Sequence, residues 1–374
     1  MIKNITLSLL MGPVVPIPVP RAVTEALTSA TIRTGTGDQD GFQLTFTFSS
    51  RSVLNTLLPT IGQVGPFIRV VLIATLGATP TVLMDGVITH QQVTPNVENG
   101  QSTLTLDGKD VSAVMNLQEF TGLPYPAMPI EARVALIVLK YAVFGMIPLV
   151  IPSLFPDVPI PTDRIPIHEG TDLAYIQRMA QEAGYVFYVD PGPAPGMSVA
   201  YWGPEIKVGV AQPALNVNMD AYTNIESLNF RYDAEKKTIP VVYVQNQQTR
   251  VPIPIPIPDI TPLNPPLGAI PPFNSKIAFL DYTARLSPMR AILAGLAVAS
   301  QSSDAVFGDG KLDVMRYGRI LKARQLVGVR GAGLAYDGLY YVKSVTHHIK
   351  RGEYKQDFSL SRNGLVSITP VVPA

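Results

Sequence analysis

Histidine is the residue type in this chain with the clearest capacity for metal binding or proton transfer, and it occurs four times. His347 and His348 are adjacent in a segment with a strand pattern, so their side chains point to opposite faces and cannot chelate one metal ion. His90 and His168 each stand alone. The sequence therefore predicts structural roles for all four histidines and no metal site.

Two short motifs match known binding loops only in part. Residues 38–41 (DQDG) resemble the start of a calcium loop, but the third oxygen ligand and the terminal glutamate are missing. We expect a hairpin tip there. Residues 328–333 (GVRGAG) have the wrong order and context for a dinucleotide-binding fingerprint, which favours an isolated glycine-rich turn.

Covalent catalysis has no support in the sequence either. It contains no Gly-x-Ser-x-Gly elbow and no Walker loop, and the spacing of its carboxylates indicates no acid–base pair. Cysteine is absent, which excludes disulfides, thiolate ligands and cysteine nucleophiles. We expect no catalytic residues, no cofactor-binding residues, no metal ligands and no enzymatic activity.

The elements that would position any functional side chain are mostly strands in the first third of the chain. Residues 42–48 alternate apolar and polar side chains, as a half-buried strand does. Residues 67–74 are more continuously apolar, which indicates a strand covered on both faces. Two further strands and two helices are predicted in the order 82–90, 101–106, 110–119 and 131–146.

The clearest helix is predicted at 172–183. Thr171 is a good N-cap before it, and Gly184 stands where the helix should end. A strand at 185–189, a turn at 190–196 and another strand at 197–202 follow. We therefore predict a small α/β unit over residues 118–213, between two β-rich regions.

The last third has strand patterns again, at 215–217, 225–232, 241–247, 311–317, 338–348 and 354–360. Ser287 and Pro288 are suited to begin a helix that continues to about Ser300. Residues 251–272 are rich in proline, which cannot donate to a sheet ladder, so we expect a polyproline-type extended loop. This loop either docks on a neighbouring protein or is only a stiff connection.

The chain contains an internal repeat. When it is shifted by 252 positions, residues 85–100 share five identities in sixteen positions with residues 337–352, where chance would give roughly one. Both copies continue into another strand, ending at 107–108 and 363–364, and the second copy is longer after the shared glycine. The repeat predicts two copies of one β module, at 1–117 and 214–374, flanking the α/β insert.

The composition points to assembly. The 374 residues carry 29 basic and 28 acidic side chains, a balance that argues against a protein built on phosphate contacts. Charged residues make up 15% of the chain, against about 25% in an average soluble domain. Hydrophobic residues reach 47%, so we expect large surfaces buried against partner subunits.

No membrane-spanning segment is predicted. The apolar N-terminus is broken by four prolines up to Pro20, and Arg21 stands where a signal peptide would have small residues. The apolar stretch 132–155 is interrupted by Lys140 and by prolines, and its clean helical part is shorter than the about 20 residues that a span needs. We expect no signal peptide and a buried or interface helix.

Four segments of the chain are similar to one known family. They are LTLDGKDV at 104–111, IHEGTDLAYIQRMAQEAGYVF at 167–187, YDGLYYVKSVTH at 336–347 and FSLSR at 358–362. In this order, and over about residues 40–364, they resemble the baseplate hub proteins of contractile tails and injection systems. This family includes the phage late-control D proteins, the T4 hub and the N-terminal part of VgrG.

The resemblance implies a mainly β (α+β) fold with two tube-like antiparallel β-barrel modules and a small α/β insert. It further implies a homotrimer whose six barrels form a pseudo-sixfold ring, a symmetry adaptor that mates with a hexameric inner tube and receives a trimeric spike. The expected partners are two further copies, a spike protein, an inner tube protein and other baseplate proteins. Neither nucleic-acid sequence recognition nor a membrane span is expected.

The same resemblance implies assembly in the cytoplasm and then a place in a phage tail or injection-system particle. The chain ends at Ala374 without the oligosaccharide-binding barrel and β-helix of VgrG, so we expect the spike to be a separate protein. The segments 251–272 and 132–160 have no counterpart in the family pattern. We hypothesise that they contact partners peculiar to this system.

A secreted carbohydrate-binding or hydrolytic β protein is the alternative. It would need a signal peptide, an aromatic-rich cleft or a pair of carboxylates. The single tryptophan, Trp202, the 8% aromatic content and the proline-broken N-terminus argue against it. Within the hub interpretation, the sequence leaves phage tail, tailocin and cellular injection system open.

Overall fold

The computed structural model describes residues 5–37, 39–49, 68–95, 100–153, 158–162, 164–245, 251–257, 264–272, 276–369 and 372. Strands dominate this part of the chain, which confirms the predicted mainly β class. The described strands form an open path, and no closed barrel is present among them.

The first β-rich region forms an array that we call the first array. Its elements are β1 (Ile5–Gly12), β2 (Ile17–Pro18), α1 (Arg21–Ala26), β3 (Leu27–Gly35), β4 (Gly41–Ser49), β5 (Arg69–Leu76), β6 (Thr79–Pro95) and β7 (Gln101–Asp110). The strand order is β3-β4-β7-β6-β5-β1-β2. Strand β5 is buried from Arg69 to Leu72, as the continuous apolar pattern predicted, and Phe67 lies outside the described residues.

The insert has its own sheet and core. Its elements are α2 (Ile130–Leu139), β8 (Met146–Val150), α3 (Asp172–Ala183), β9 (Val186–Pro191) and β10 (Ser198–Gly203), with the strand order β8-β10-β9. Helix α3 has the predicted bounds, because the Thr171 hydroxyl caps it and Gly184 takes the left-handed conformation at its end. The prediction of one helix over 131–146 is wrong at its end, since the chain turns after α2 and Met146 begins a strand.

The rest of the chain forms a second array and two small sheets. The strands are β11 (Gln212–Asn216), β12 (Ser227–Tyr232), β13 (Thr238–Gln245), β14 (Pro252–Pro256), β15 (Gly268–Ile270), β16 (Lys276–Leu280), β17 (Val306–Asp313), β18 (Leu326–Arg330), β19 (Gly338–Lys350), β20 (Glu353–Arg362) and β21 (Leu365–Ser367), and the helices are α4 (Pro288–Gln301) and α5 (Val314–Tyr317). The second array has the order β12-β17-β20-β19-β18-β11. Helix α4 begins as predicted, with the Ser287 hydroxyl accepting from the Arg290 N–H.

The two arrays repeat one arrangement of strands. Each array has a central hairpin, β6–β7 or β19–β20, with a register shift in its first strand. A pair of outer strands lies on one side of the hairpin, and the strand that precedes the hairpin in the chain lies on the other. One row of paired residues crosses four strands in both arrays: Ile32, Phe42, Gly108 and Ile88 in the first, and Phe230, Gly308, Leu360 and Val342 in the second. The sequence repeat therefore corresponds to a structural one.

The register of the repeat differs from the sequence alignment on one strand. β7 and β20 are equivalent at the predicted shift and have equal lengths of 10 residues, so the prediction of a longer second copy is wrong. The register shifts of β6 and β19 follow Ile88 and Val342. An alignment on these two residues differs by two positions from the alignment predicted at a shift of 252. The reason is a longer connection before Gly100 than before Gly352, both of which have positive φ in their turns.

A junction between β3 and β19 joins the arrays. β3 pairs antiparallel with residues 344–350 of β19, while the start of β19 pairs with β18. The result is one thirteen-stranded sheet over both arrays. A single hydrophobic core runs beneath it, with residues such as Leu44, Leu104 and Val342 fully buried.

The described parts of the proline-rich segment contain strands β14 and β15 where a polyproline loop was predicted, and residues 258–263 lie outside the described residues. Strand β14 pairs antiparallel with β13, and α4 packs on β13. The Ile257 N–H donates to the Pro240 carbonyl at 2.9 Å, so Ile253 and Ile255, which alternate with it, also turn their N–H groups to β13. The intervening prolines place their nitrogens on the free edge, where no donor is needed.

The prediction of a strand over residues 311–317 is also wrong. Strand β17 starts earlier, at Val306, and ends at Asp313, whose carboxylate accepts from the Met315 N–H at 2.7 Å and caps α5. The start of β17 contains Gly308 and Gly310, which weaken a strand pattern in sequence. In the structure these glycines make room for neighbouring phenylalanine rings.

Candidate assembly surfaces and the polar clusters behind them

The adjacent histidines lie on opposite faces of β19, as predicted. His347 is buried, and its Nδ1 lies 2.7 Å from the Tyr354 hydroxyl. Burial lowers the pKa of His347 to about 3, so its imidazole is neutral at physiological pH. His348 is half exposed, with its Nε2 2.9 Å from an Asp357 carboxylate oxygen. The pair holds strands together and shares no ligand.

His168 belongs to a closed polar cluster in the insert. Its ring stacks on Tyr175 at 4.3 Å between centroids, and its Nδ1 lies 3.1 Å from the Tyr125 hydroxyl. Burial lowers the pKa of His168. The neighbouring Asp172 accepts from Lys140 at 3.1 Å and from a tyrosine hydroxyl, so the cluster ties the start of α3 to the end of α2. The cluster therefore serves to pack these two helices together.

The hairpin tip at 38–41 is confirmed between β3 and β4, with Asp38 outside the described residues. Asp40 is buried, and both its oxygens accept from Arg324 at 2.9 Å. Burial raises the pKa of Asp40 to about 7 against the opposing attraction of the guanidinium. Across the part of the chain that the structure describes, no group of three His, Asp or Glu residues could hold a metal ion.

Arg324 links three parts of the chain. It precedes β18 in the second array, pairs with Asp40 of the first array and contacts the Asp190 carboxylate on β9 of the insert. Its guanidinium also lies 4.0 Å from the ring centre of Tyr188. Burial alone would lower the pKa of Arg324, but the two carboxylates outweigh it and raise the pKa. Such a centre fixes the relative position of arrays and insert.

Two more buried ion pairs act in the same way. Arg69 and Asp85 form a bidentate pair at 2.7 and 2.8 Å in the first array, and Arg69 also donates to the Gly196 carbonyl of the insert at 2.9 Å. Lys207, which follows β10 in the insert, donates to Asp304, just before β17 of the second array, at 2.7 Å. Burial alone would raise the pKa of Asp304, but the charges of Lys207 and Lys343 and the hydrogen bonds to the carboxylate together lower it.

Sequence reasoning missed these pairs, although one signal was present. Arg69 interrupts the continuously apolar run at 67–74, and a charge inside a buried strand needs a partner. The partner itself could not be identified, because it becomes a neighbour only through the pairing of β5 with β6.

One open groove is lined by two carboxylates, and each of them is paired with a basic side chain. It encloses about 860 Å³ between the start of β3 and the turn from β19 to β20. Each of its two acidic residues forms an ion pair: Glu25 accepts from Arg21 at 2.7 Å, and Glu353 lies 3.2 Å from Lys355. The one aromatic residue in its lining, Tyr354, is buried.

The insert exposes apolar side chains. Leu136 and Leu139 on α2 are 45% and 55% exposed, and Ile147 and Leu149 on β8 are 45% and 47% exposed. Helix α2 and β8 are in contact, and β8 pairs only with β10 among the described strands. These side chains belong to the apolar stretch noted at 132–160, of which residues 154–157 are outside the described part.

Two strand edges also have no partner strand in the described part of the chain. β12 pairs only with β17 among the described strands, and no described strand pairs with the outer edge of β6 beyond Val87. The seven residues 89–95 of β6 are all exposed. Unpaired edges of this length are usual sites of strand addition.

No helix in the described part of the chain is both long enough and apolar enough to cross a lipid bilayer. The polar clusters are buried and serve packing, whereas the exposed features are apolar side chains and strand edges. The arrangement is therefore suited to binding other protein subunits.

Neither protein-family models nor curated protein sequences give a match to this chain. Solved structures do. A tail protein from Neisseria meningitidis MC58 matches with a TM-score of 0.62 and 13% identity, over 97% of this chain and 98% of that one. The 43 kDa tail protein of prophage MuSo2 from Shewanella oneidensis matches with a TM-score of 0.61 and 11% identity, over 96% and 99% of the two chains.

A third similar structure comes from a secretion machine. An Escherichia coli protein described as a component of the type VI secretion system, with structural similarity to T4 phage tail proteins, matches with a TM-score of 0.51 and 12% identity. The match covers 93% of this chain and 76% of that one. Together these likenesses show that the chain has the fold of phage tail and injection-system proteins.

Proposed function

We propose that this protein is a structural baseplate hub subunit of a contractile phage tail or contractile injection system. Three copies would form a pseudo-sixfold ring that adapts a trimeric spike to a hexameric inner tube. One observation carries the proposal: a single chain with a tail-protein fold contains two arrays in which six strands follow the same order, with β2 as an additional strand in the first array. Three such chains supply six similar units, which is the number that a sixfold tube requires.

The module boundaries form part of the proposal. Residues 1–117 and 214–374 would be the two tube-like modules, and residues 118–213 the insert. The intrachain junction between β3 and β19 supports this, because it shows how one array binds the next. The buried ion pair of Arg324 with Asp40 supports it as well, since it holds neighbouring modules at a fixed angle.

The partners follow from the exposed features. A spike protein, an inner tube protein and other baseplate proteins would bind the ring, and the exposed apolar side chains of α2 and β8 would contact them. The protein would assemble in the cytoplasm and remain in the finished particle. No specific observation favours a secreted hydrolase, and the proposed role is mechanical.

Tube nucleation tests this function. Purified hub and spike would be added to tube subunits, and polymerisation would be followed by light scattering and negative-stain microscopy. We expect a shorter lag and tubes capped at one end by a ring with the spike. An unchanged lag together with no binding to spike or tube would overturn the proposal.

A further inference from the structure

The junction between the arrays has a defined register. β3 and the outer half of β19 pair antiparallel over residues 29–35 and 344–350, and Ile32 lies opposite His347 at its centre. Both central side chains are buried. The junction is therefore a pairing of two strand edges, with a core beneath it.

The first array has a free edge that is equivalent to the outer half of β19. The register shifts that follow Ile88 on β6 and Val342 on β19 occupy the same row of the two arrays, so His90 is equivalent to Ser344 and Val93 to His347. On β19 this segment is covered by β3, and His347 is 4% exposed. On β6 no described strand covers it, and Val93 is 44% exposed.

The second array has a free edge that is equivalent to β3. Phe230 on β12 occupies the row position of Ile32 on β3. The Asp233 N–H donates to Ala305 at 2.8 Å, on the side of β17, so alternate residues turn their backbone groups to the opposite, unpaired edge. These residues are Leu228, Phe230 and Tyr232, and they are half-buried where their equivalents Ala30, Ile32 and Thr34 are buried.

We propose that β12 of one copy pairs antiparallel with residues 90–95 of β6 in a second copy, in the register that places Phe230 opposite Val93. This repeats between chains the pairing that β3 and β19 make within one chain. This inference rests on the proposed ring and specifies the contact between its subunits. The two edges are different surfaces, so the contact is heterologous and generates a ring when the rotation closes.

Pairing within one chain is excluded by the sheet itself. Six strands separate β12 from β6 in the order β12-β17-β20-β19-β3-β4-β7-β6. A second copy also satisfies the side chains: Val93 meets Phe230, and the exposed Gln92 meets the exposed Arg231 on the other face. A slip by one residue would bring Phe230 to the wrong face, so the register is specified.

Disulfide trapping tests the register, and the chain offers a clean background because it has no cysteine. The proposed register places Thr94 opposite Asn229, so the test protein carries Thr94→Cys and Asn229→Cys. The matched positive control carries Thr31→Cys and His348→Cys, which are paired within one chain. The slipped control combines Thr94→Cys with Arg231→Cys. Full-length proteins are oxidised at rising concentration and compared on non-reducing gels and by native mass spectrometry.

We expect the test pair to form reducible covalent dimers and trimers. The positive control should lose its thiols without forming covalent multimers, and the slipped pair should stay unlinked. A trimer that forms without any cross-link in the test pair, while the positive control links, would overturn the register and leave the ring intact. A chain that stays monomeric and unlinked at every concentration would overturn both the register and the proposed ring.

Discussion

At the residue scale, charge in this protein is used for internal positioning. Three of the buried cations, Arg69, Lys207 and Arg324, each bind a carboxylate from another part of the chain, and each links two or three parts of it. Removing one partner of a buried pair leaves an uncompensated charge, whereas replacing both is much less costly. The buried pairs should therefore respond to single and double substitutions in different ways.

Arg324→Met tests the central pair. We expect it to lower the free energy of unfolding by about 3–5 kcal/mol, because Asp40 is then buried without its partner. The double variant Arg324→Met with Asp40→Asn should recover part of that loss. Chemical denaturation of the three proteins measures the effect, and equal losses in the single and double variants would contradict it.

His347 should make stability depend on pH. Its folded pKa of about 3 lies below the unfolded value of 6.5, so only the unfolded chain binds the proton as the pH falls. Relative to His347→Gln, the wild type should lose about 2 kcal/mol of unfolding free energy between pH 7.5 and pH 5. Urea denaturation at both pH values measures this difference.

The control for that experiment is His348→Gln, on the opposite face of the same strand. The His347→Gln comparison should show the pH-dependent loss, because it removes the buried imidazole. A His347→Gln difference that is the same at both pH values would show that the buried imidazole takes up a proton in the folded protein.

At the element scale, the edge of a strand decides whether the strand can pair with a further one. The proline-rich β14 lies at the edge of its sheet, with its isoleucine N–H groups turned to β13 and its proline nitrogens turned outward. Outward prolines cannot accept a further strand, so this edge is blocked. By contrast, β12 contains no proline and the outer half of β6 contains one only at its end, Pro95, so the outward N–H groups of residues 89–94 remain open to pairing.

Ile255→Pro tests this assignment. It removes the N–H that faces the buried Val242, so we expect a loss of about 1–3 kcal/mol and faster hydrogen exchange across β13. The matched control Pro254→Ala changes a residue whose nitrogen faces the free edge, and it should leave exchange in β13 unchanged. Equal effects of the two substitutions would mean that β14 does not pair as described.

Local patterns could be predicted from the sequence, and long-range pairings could not. Helix α3 was predictable because its apolar period, its Thr171 cap and its Gly184 end all lie within one segment. The repeat of β7 in β20 was visible because both strands follow a turn glycine. Strand β14 was missed because the edge position that tolerates proline depends on β13, and the junction of β3 with β19 joins segments about 300 residues apart.

At the scale of the whole molecule, the surface is suited to assembly through apolar contacts and strand edges. Only 15% of the residues are charged, and the net charge is +1. Interfaces of this kind depend little on surface ion pairs, which salt screens. In the proposed ring, the buried ion pairs would hold each subunit rigid, and the exposed edges and apolar side chains would contact its neighbours.

Salt dependence checks this account of the ring. We expect the trimer to persist in a few hundred millimolar NaCl, because strand pairing and apolar burial are not screened. Size-exclusion chromatography with light scattering across a salt series measures it. Dissociation to monomers over that range would indicate that ion pairs, and not the strand edges, hold the ring.

The most direct test of the hub assignment is native mass spectrometry of the full-length protein, alone and mixed with candidate spike and tube proteins. The account predicts a species of about 121 kDa, three chains of 40.4 kDa, that binds a spike trimer or tube subunits. A protein that remains at the mass of one chain and binds neither candidate would contradict it.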